Sequence, residues 1–124
     1  MTETMTDYHY FEIREQDGVQ ILYLSDMGSD RETVAEAGRE LLRFAQHNKP
    51  ARLLISFRAV RHLSSLVVGT LLVLVKTVKA QGGRVECCSA PEGFQEVLGM
   101  LGRKLPFDHA DKAEADVVEI LKKP

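Results

Sequence analysis

The chain has 124 residues, 44% hydrophobic and 27% charged, with no Trp and a formal net charge of −2. That is about one domain with room for a real core, and its charge argues against nucleic-acid binding by bulk electrostatics. The two cysteines, Cys87 and Cys88, are adjacent and have no second pair, which argues against both a zinc site and a structural disulfide between them.

Residues 1–7 are polar and read as a flexible N-terminus ahead of a domain spanning 8–124. They lack the basic and apolar regions of a secretory signal. Tyr8 to Arg14 alternates, Asp17-Gly18 makes a turn, and Val19–Leu24 follows, which together predict an antiparallel hairpin. After the loop Ser25-Asp-Met-Gly28, Ser29-x-x-Glu32 reads as a capping box. The stripe Val34, Ala37, Leu41, Ala45 then predicts an amphipathic helix to about His47, stopped by Asn48-Lys49-Pro50.

Arg52–Phe57 is nearly continuously apolar, as a strand covered on both faces is. Its exit leads through Val60-Arg-His-Leu to Ser64-Ser65 and then into the most apolar segment of the chain. From Leu66 to Val75 only Gly69 and Thr70 interrupt Leu and Val. The run is shorter than the ~18–20 residues that cross a bilayer, so it predicts a core helix from about Ser65 to Gln81, closed by Gly82-Gly83. Being apolar nearly all round, that helix is expected to face a second helix or a partner as well as the sheet.

Arg84–Ser89 predicts a further strand. A short helix from Pro91 to Gly102, an edge strand at Leu105-Pro-Phe107 and a last helix capped by Asp111 complete the chain. The expected architecture is α/β, a four- to five-stranded mixed sheet with about four helices in the order β-β-α-β-α-β-α-β-α. Strand–helix–strand units over 52–107 imply parallel neighbours.

The chemistry-bearing residues are few. Ser64 and Ser65 stand where a strand gives way to a helix, so their hydroxyls can cap free N–H groups. The same place favours a phosphate through the helix dipole and the exposed N–H donors. A nucleophilic serine needs a base and an oxyanion hole, but there is no Gly-x-Ser-x-Gly and no triad spacing. No catalytic residue, cofactor or metal is therefore assigned, and the chain is not read as an enzyme. His62 reads as a loop residue. His9, His47 and His109 are isolated, and Gly82-Gly83 lacks phosphate-loop spacing.

The element order and the central motif together resemble the STAS domain of bacterial anti-sigma factor antagonists, over about Tyr8 to Leu121. Val60-Arg61-His62-Leu63 is similar to the family's strand exit before Asp-Ser-Ser-Gly-Leu-Gly. Ser64 falls on the Asp, Ser65 on the phosphorylatable Ser, Leu66 on the next Ser, Val67 on the Gly, and Val68-Gly69 on Leu-Gly. Gly82-Gly83-Arg84-Val85 resembles the family's Gly-Gly-Arg-Leu, and Pro91-x-x-Phe-x-x-Val-Leu its third helix. Gly69, Gly82 and Gly83 thus belong to the structural motif.

The resemblance implies a cytoplasmic, non-catalytic regulatory module that sequesters an anti-sigma factor with serine-kinase activity and is released when Ser65, or its neighbour Ser64, is phosphorylated. The implied contact surface comprises Asp26, Met27, Gly28, Arg61, His62, Ser64, Ser65, Leu66 and Val67, with no nucleic acid or membrane bound and a monomer or weak homodimer. The family's carboxylates around the serine are replaced: Ser56 and Ser64 stand for Asp, and Ser25-Asp-Met-Gly28 for Gly-Glu-Leu-Asp. The alternative is therefore a divergent module without phospho-switching, a constitutive interaction, dimerisation or small-ligand-binding unit.

Overall fold

The computed structural model describes residues 4–5 (backbone only), 8–94 and 109–124. One five-stranded sheet has its strands in sequence order: β1 (Thr4–Met5), β2 (Phe11–Gln16), β3 (Val19–Leu24), β4 (Arg52–Ser56) and β5 (Arg84–Cys88). The β1–β2 and β2–β3 pairs are antiparallel, whereas β3–β4 and β4–β5 are parallel. The sheet is therefore mixed, with a two-residue strand at one edge. The two parallel crossovers are α1 (Arg31–Asn48) and α2 (Ser65–Ala80), and α3 (Glu114–Lys122) closes the chain.

The hairpin forms where Asp17-Gly18 predicts it. Both residues have positive φ (53° and 82°) and Gln16 pairs with Val19, the two-residue turn whose twist matches that of the strands. The first full strand begins at Phe11, however, and not at Tyr8. Tyr8 stacks on Phe11 at 4.4 Å and meets Phe44 edge-on at 6.0 Å, so residues 8–10 bend onto α1 instead of extending the ladder. Within the stretch expected to be a flexible N-terminus, Thr4 and Met5 pair with Arg14 and Ile13.

The alternation of β4 separates two cores. Leu53 and Ile55 join the larger one, beneath α1 and α2 with Phe11, Leu22, Leu41, Phe44, Leu71 and Leu74. Leu54 joins Val19, Ile21, Tyr23, Cys88 and the α3 residues Val117, Val118 and Leu121 in the smaller one. Burial of β4 on both faces, expected from its apolar run, follows from this three-layer arrangement.

Two of the expected helix caps differ in the structure. Asp30, not Ser29, caps α1: its carboxylate accepts from the Thr33 N–H at 3.0 Å and the Thr33 hydroxyl at 2.8 Å. Aspartate accepts through a charged oxygen and stands one residue nearer the helix. The cap position of α3 is Ala113, without a side-chain bond, and not Asp111. The other end of α3 is held instead: the Arg84 guanidinium donates to the carbonyls of Leu121 (3.3 Å), Ile120 (3.4 Å) and Lys123.

Of the helix expected from Pro91 to Gly102, only the start through Phe94 is described. There Phe94 meets Phe57 edge-on at 6.5 Å. The rest of it, and the strand expected at Leu105-Pro-Phe107, lie outside the described residues. Three helices are thus described where about four were expected, and the two-residue strand sits at the N-terminal edge.

The glycine stop expected for α2 is present. Gly82 lies at φ 87°, its N–H donating to Lys79 O, while the Gly83 N–H reaches back to Val78 O at 2.9 Å. These are the paired bonds of a Schellman motif.

Candidate functional site

The loops after β3 and β4 meet at the carboxyl ends of the parallel strands. Past Leu24 the chain passes exposed Ser25 and Asp26, buries Met27 in the larger core (8% exposed) and turns at Gly28 with φ 66°. Past Ser56 it buries Phe57 and Val60, then emerges at Arg61 and His62. The Asp26 carboxylate ties the loops together. Its Oδ1 accepts the backbone N–H groups of Arg61 and His62, both at 3.2 Å, and its Oδ2 faces His62 Nδ1 at 3.4 Å.

Partial burial works to raise the Asp26 carboxyl, but the two backbone donors and the His62 ring outweigh it and hold it below the usual carboxylate range. The carboxylate is therefore charged and acts as a clamp on the approach to the serines. The sequence suggests that the family's loop carboxylates are replaced here. The structure shows Asp26 supplying one to this loop across 35 residues of chain. We expect Asp26→Ala to cost about 1 kcal/mol and to leave the fold intact. The sharper readout is amide hydrogen exchange, which should accelerate at Arg61 and His62 well beyond the rest of the loop.

The two serines have different jobs. Ser64 is the N-cap of α2: its Oγ accepts the Val67 N–H at 3.2 Å, and its carbonyl accepts from Val68 N. Ser65 is the first helical residue, exposed, and its hydroxyl makes no hydrogen bond among the described residues. Leu66 beside it is 40% exposed, whereas Val67 turns into the core at 2%. Of the residues expected on the contact surface, Arg61, His62, Ser65 and Leu66 are presented to solvent. Met27 and Val67 support the surface from beneath, Ser64 is occupied as a cap, and Asp26 and Gly28 shape the loop.

Ser56, which stands for a family Asp, is fully buried. Its Oγ accepts from Arg58 N at 3.4 Å and lies beside Cys88. A carboxylate there would be costly without a cationic partner, so serine suits this core.

The other reactive groups are structural. Burial pushes the Cys87 thiol well above its ordinary value, and burial likewise raises Cys88, so neither is a thiolate. His9 Nδ1 sits 2.8 Å from Glu40, and His109 Nδ1 3.1 Å from Glu86. Among the described residues, no cluster of His, Cys, Asp or Glu could hold a metal ion. No described helix is long and apolar enough to cross a membrane.

Comparison with known proteins agrees with this geometry. The profile of the STAS domain matches residues 10–113. No curated protein matches the chain by sequence. Among solved structures, the Thermotoga maritima protein TM1081, described as a candidate anti-sigma factor antagonist, is 16% identical. It superposes with a TM-score of 0.77 over 91% of this chain and 95% of its own. The anti-sigma factor antagonist SpoIIAA in its unphosphorylated form is 12% identical, with a TM-score of 0.67 over 100% of both chains. The phosphorylated form of this Bacillus cell-fate determinant gives 0.63 at 12% identity, over 97% and 98%. At such identities the superpositions establish the fold, and the profile, spanning most of the sequence, establishes the family: the chain belongs to the STAS domain family.

Proposed function

We propose that this chain is a cytoplasmic, non-catalytic regulatory module that docks an anti-sigma factor with serine-kinase activity, and that phosphorylation of Ser65 releases it. Residues 8–124 form the STAS unit, and Thr4–Met5 add a short edge strand ahead of it. The observation that carries this reading is Ser65 itself, an exposed and uncommitted hydroxyl on the first turn of α2, beside exposed Leu66 and a loop clamped by Asp26. The structural likeness to an anti-sigma factor antagonist solved in both phosphorylated and unphosphorylated forms supports it.

The physical logic is electrostatic. A phosphate on Ser65 adds ~1.5–2 negative charges and bulk at the point of contact, on a helix N-terminus that accommodates them without unfolding. Ser65→Glu is accordingly expected to weaken partner binding about tenfold or more, with Ser65→Ala retaining it. Isothermal titration against the kinase-type partner measures both. Incubation with that partner and ATP should add one phosphate to the intact mass of the native chain and none to Ser65→Ala. An unchanged native mass with binding retained would leave a constitutive, non-switching module.

A further inference from the structure

Leu66 and Val73 are the two large hydrophobic side chains left exposed among the described residues, at 40% and 49%. They share the outer face of α2, seven residues or about 10 Å apart along the axis. Exposed Gly69 and half-buried Thr70 lie between them, and Thr77 follows. The polar atoms of this strip are already committed: Thr70 Oγ1 donates to Leu66 O at 2.9 Å and Thr77 Oγ1 to Val73 O at 2.8 Å. No charged residue interrupts it before Lys76. A Cβ built on Gly69 would meet nothing within 4 Å, so the middle of the strip is open, and a shallow groove of about 170 Å³ lined by Gly38, Leu42, Thr70 and Val73 runs alongside.

We propose that this face pairs with a second copy of the chain, α2 against α2 in antiparallel orientation about a two-fold axis at Gly69–Thr70. Leu66 and Val73 lie at equal distances on either side of that point, so the two-fold sets Leu66 of each copy on Val73 of the other. Missing side chains at Gly69 let the helices approach where they cross. The same pairing opposes the two helix dipoles. It also brings Lys76 of each copy level with the His62 end of the other, where the charged Asp26 carboxylate is 29% exposed. The patch is small against the ~800 Å² per partner of a stable interface, so the dimer is weak and exchanges readily. Leu66 also lies on the contact surface of the Ser65 reading, so self-pairing and partner docking compete for it, while the test of the pairing needs neither the partner nor a phosphate.

A cysteine at Gly69 tests the geometry directly, because native Cys87 and Cys88 are both buried and give little background. Under mild oxidation, Gly69→Cys is expected to form a disulfide-linked dimer at least about tenfold faster than Arg43→Cys, an exposed control on the far flank of α1. Sedimentation equilibrium of the unmodified chain should show its mass rising from one chain toward two as concentration approaches about 1 mM. Val73→Lys should abolish that rise with its circular dichroism unchanged. A single-chain mass throughout, or equal crosslinking of the two cysteine variants, overturns the pairing and leaves the strip to a different protein. A mass rise that survives Val73→Lys overturns it as well, by placing the contact elsewhere.

Discussion

Gly83→Ala is expected to destabilise the protein by about 3 kcal/mol, at the upper end of what overpacking costs. A Cβ on Gly83 would lie 2.4 Å from the Pro50 carbonyl oxygen, 2.7 Å from Val78 Cγ1 and 3.1 Å from Val78 O. Two of these are backbone atoms. Pro50 O belongs to the segment that leads into β4, and Val78 O already accepts the Gly83 N–H. Neither can move aside by rotating a side chain, so relief requires shifting the end of α2 or the start of the sheet. Urea unfolding measures the loss directly. The neighbouring Gly82→Ala makes a useful comparison: open space surrounds it, but φ 87° strains any side chain, so about 1 kcal/mol is expected. A smaller effect at Gly83 than at Gly82 would show that the close approach to Pro50 is absent in solution.

Glu40→Gln is expected to cost about 2 kcal/mol at neutral pH, and the cost should shrink on acidification. Glu40 is 7% exposed on an otherwise apolar face of α1. Its carboxylate accepts the His9 N–H (3.0 and 3.2 Å), the Tyr10 N–H (3.2 Å) and His9 Nδ1 (2.8 Å). Burial acts to raise this carboxyl, but the His9 and Tyr10 donors outweigh it, and the net direction is downward from the ordinary value of 4.5. A carboxylate held lower in the folded than in the unfolded chain stabilises above the unfolded value. That stability is lost as pH falls through the folded value. The difference between wild type and Glu40→Gln should therefore be full near pH 7 and decline below about pH 4.5. Asp26 and Asp30 are also lowered and steepen the acid limb of both proteins, so the difference, not either curve alone, isolates Glu40. A pH-independent difference would mean that Glu40 holds the 8–10 segment by packing alone.

These two sites show what kind of information the sequence carries. Gly82-Gly83 was readable as a helix stop because the Schellman motif is local, but only the packed structure reveals that Gly83 also presses on Pro50. The Glu40 latch was not readable. A glutamate one residue from Leu41 on a helix looks like solvated surface, and its donors stand some 30 residues earlier in the chain. That latch is also why the first full strand begins at Phe11: the amides of His9 and Tyr10 are spent on a carboxylate. The hold of Arg84 on the end of α3 escaped reading for the same reason, its carbonyl partners lying 36 to 39 residues away.

By itself, the amino-acid order determined the hairpin, the doubly buried β4, the apolar α2 with Ser64-Ser65 at its head, and the family they resemble. Each of these rests on side-chain periodicity or on backbone conformations favoured within a few residues. Tertiary structure decided which serine is occupied and which is free, since the helix starts at Ser65 and makes Ser64 its cap. It turned Val67 inward and left Leu66 and Val73 outside, because α1 and the sheet together cover only part of α2. It also brought Asp26 to the loop before the serines. Contacts of that kind join residues distant in sequence through hydrogen bonds and burial, and no local pattern encodes them.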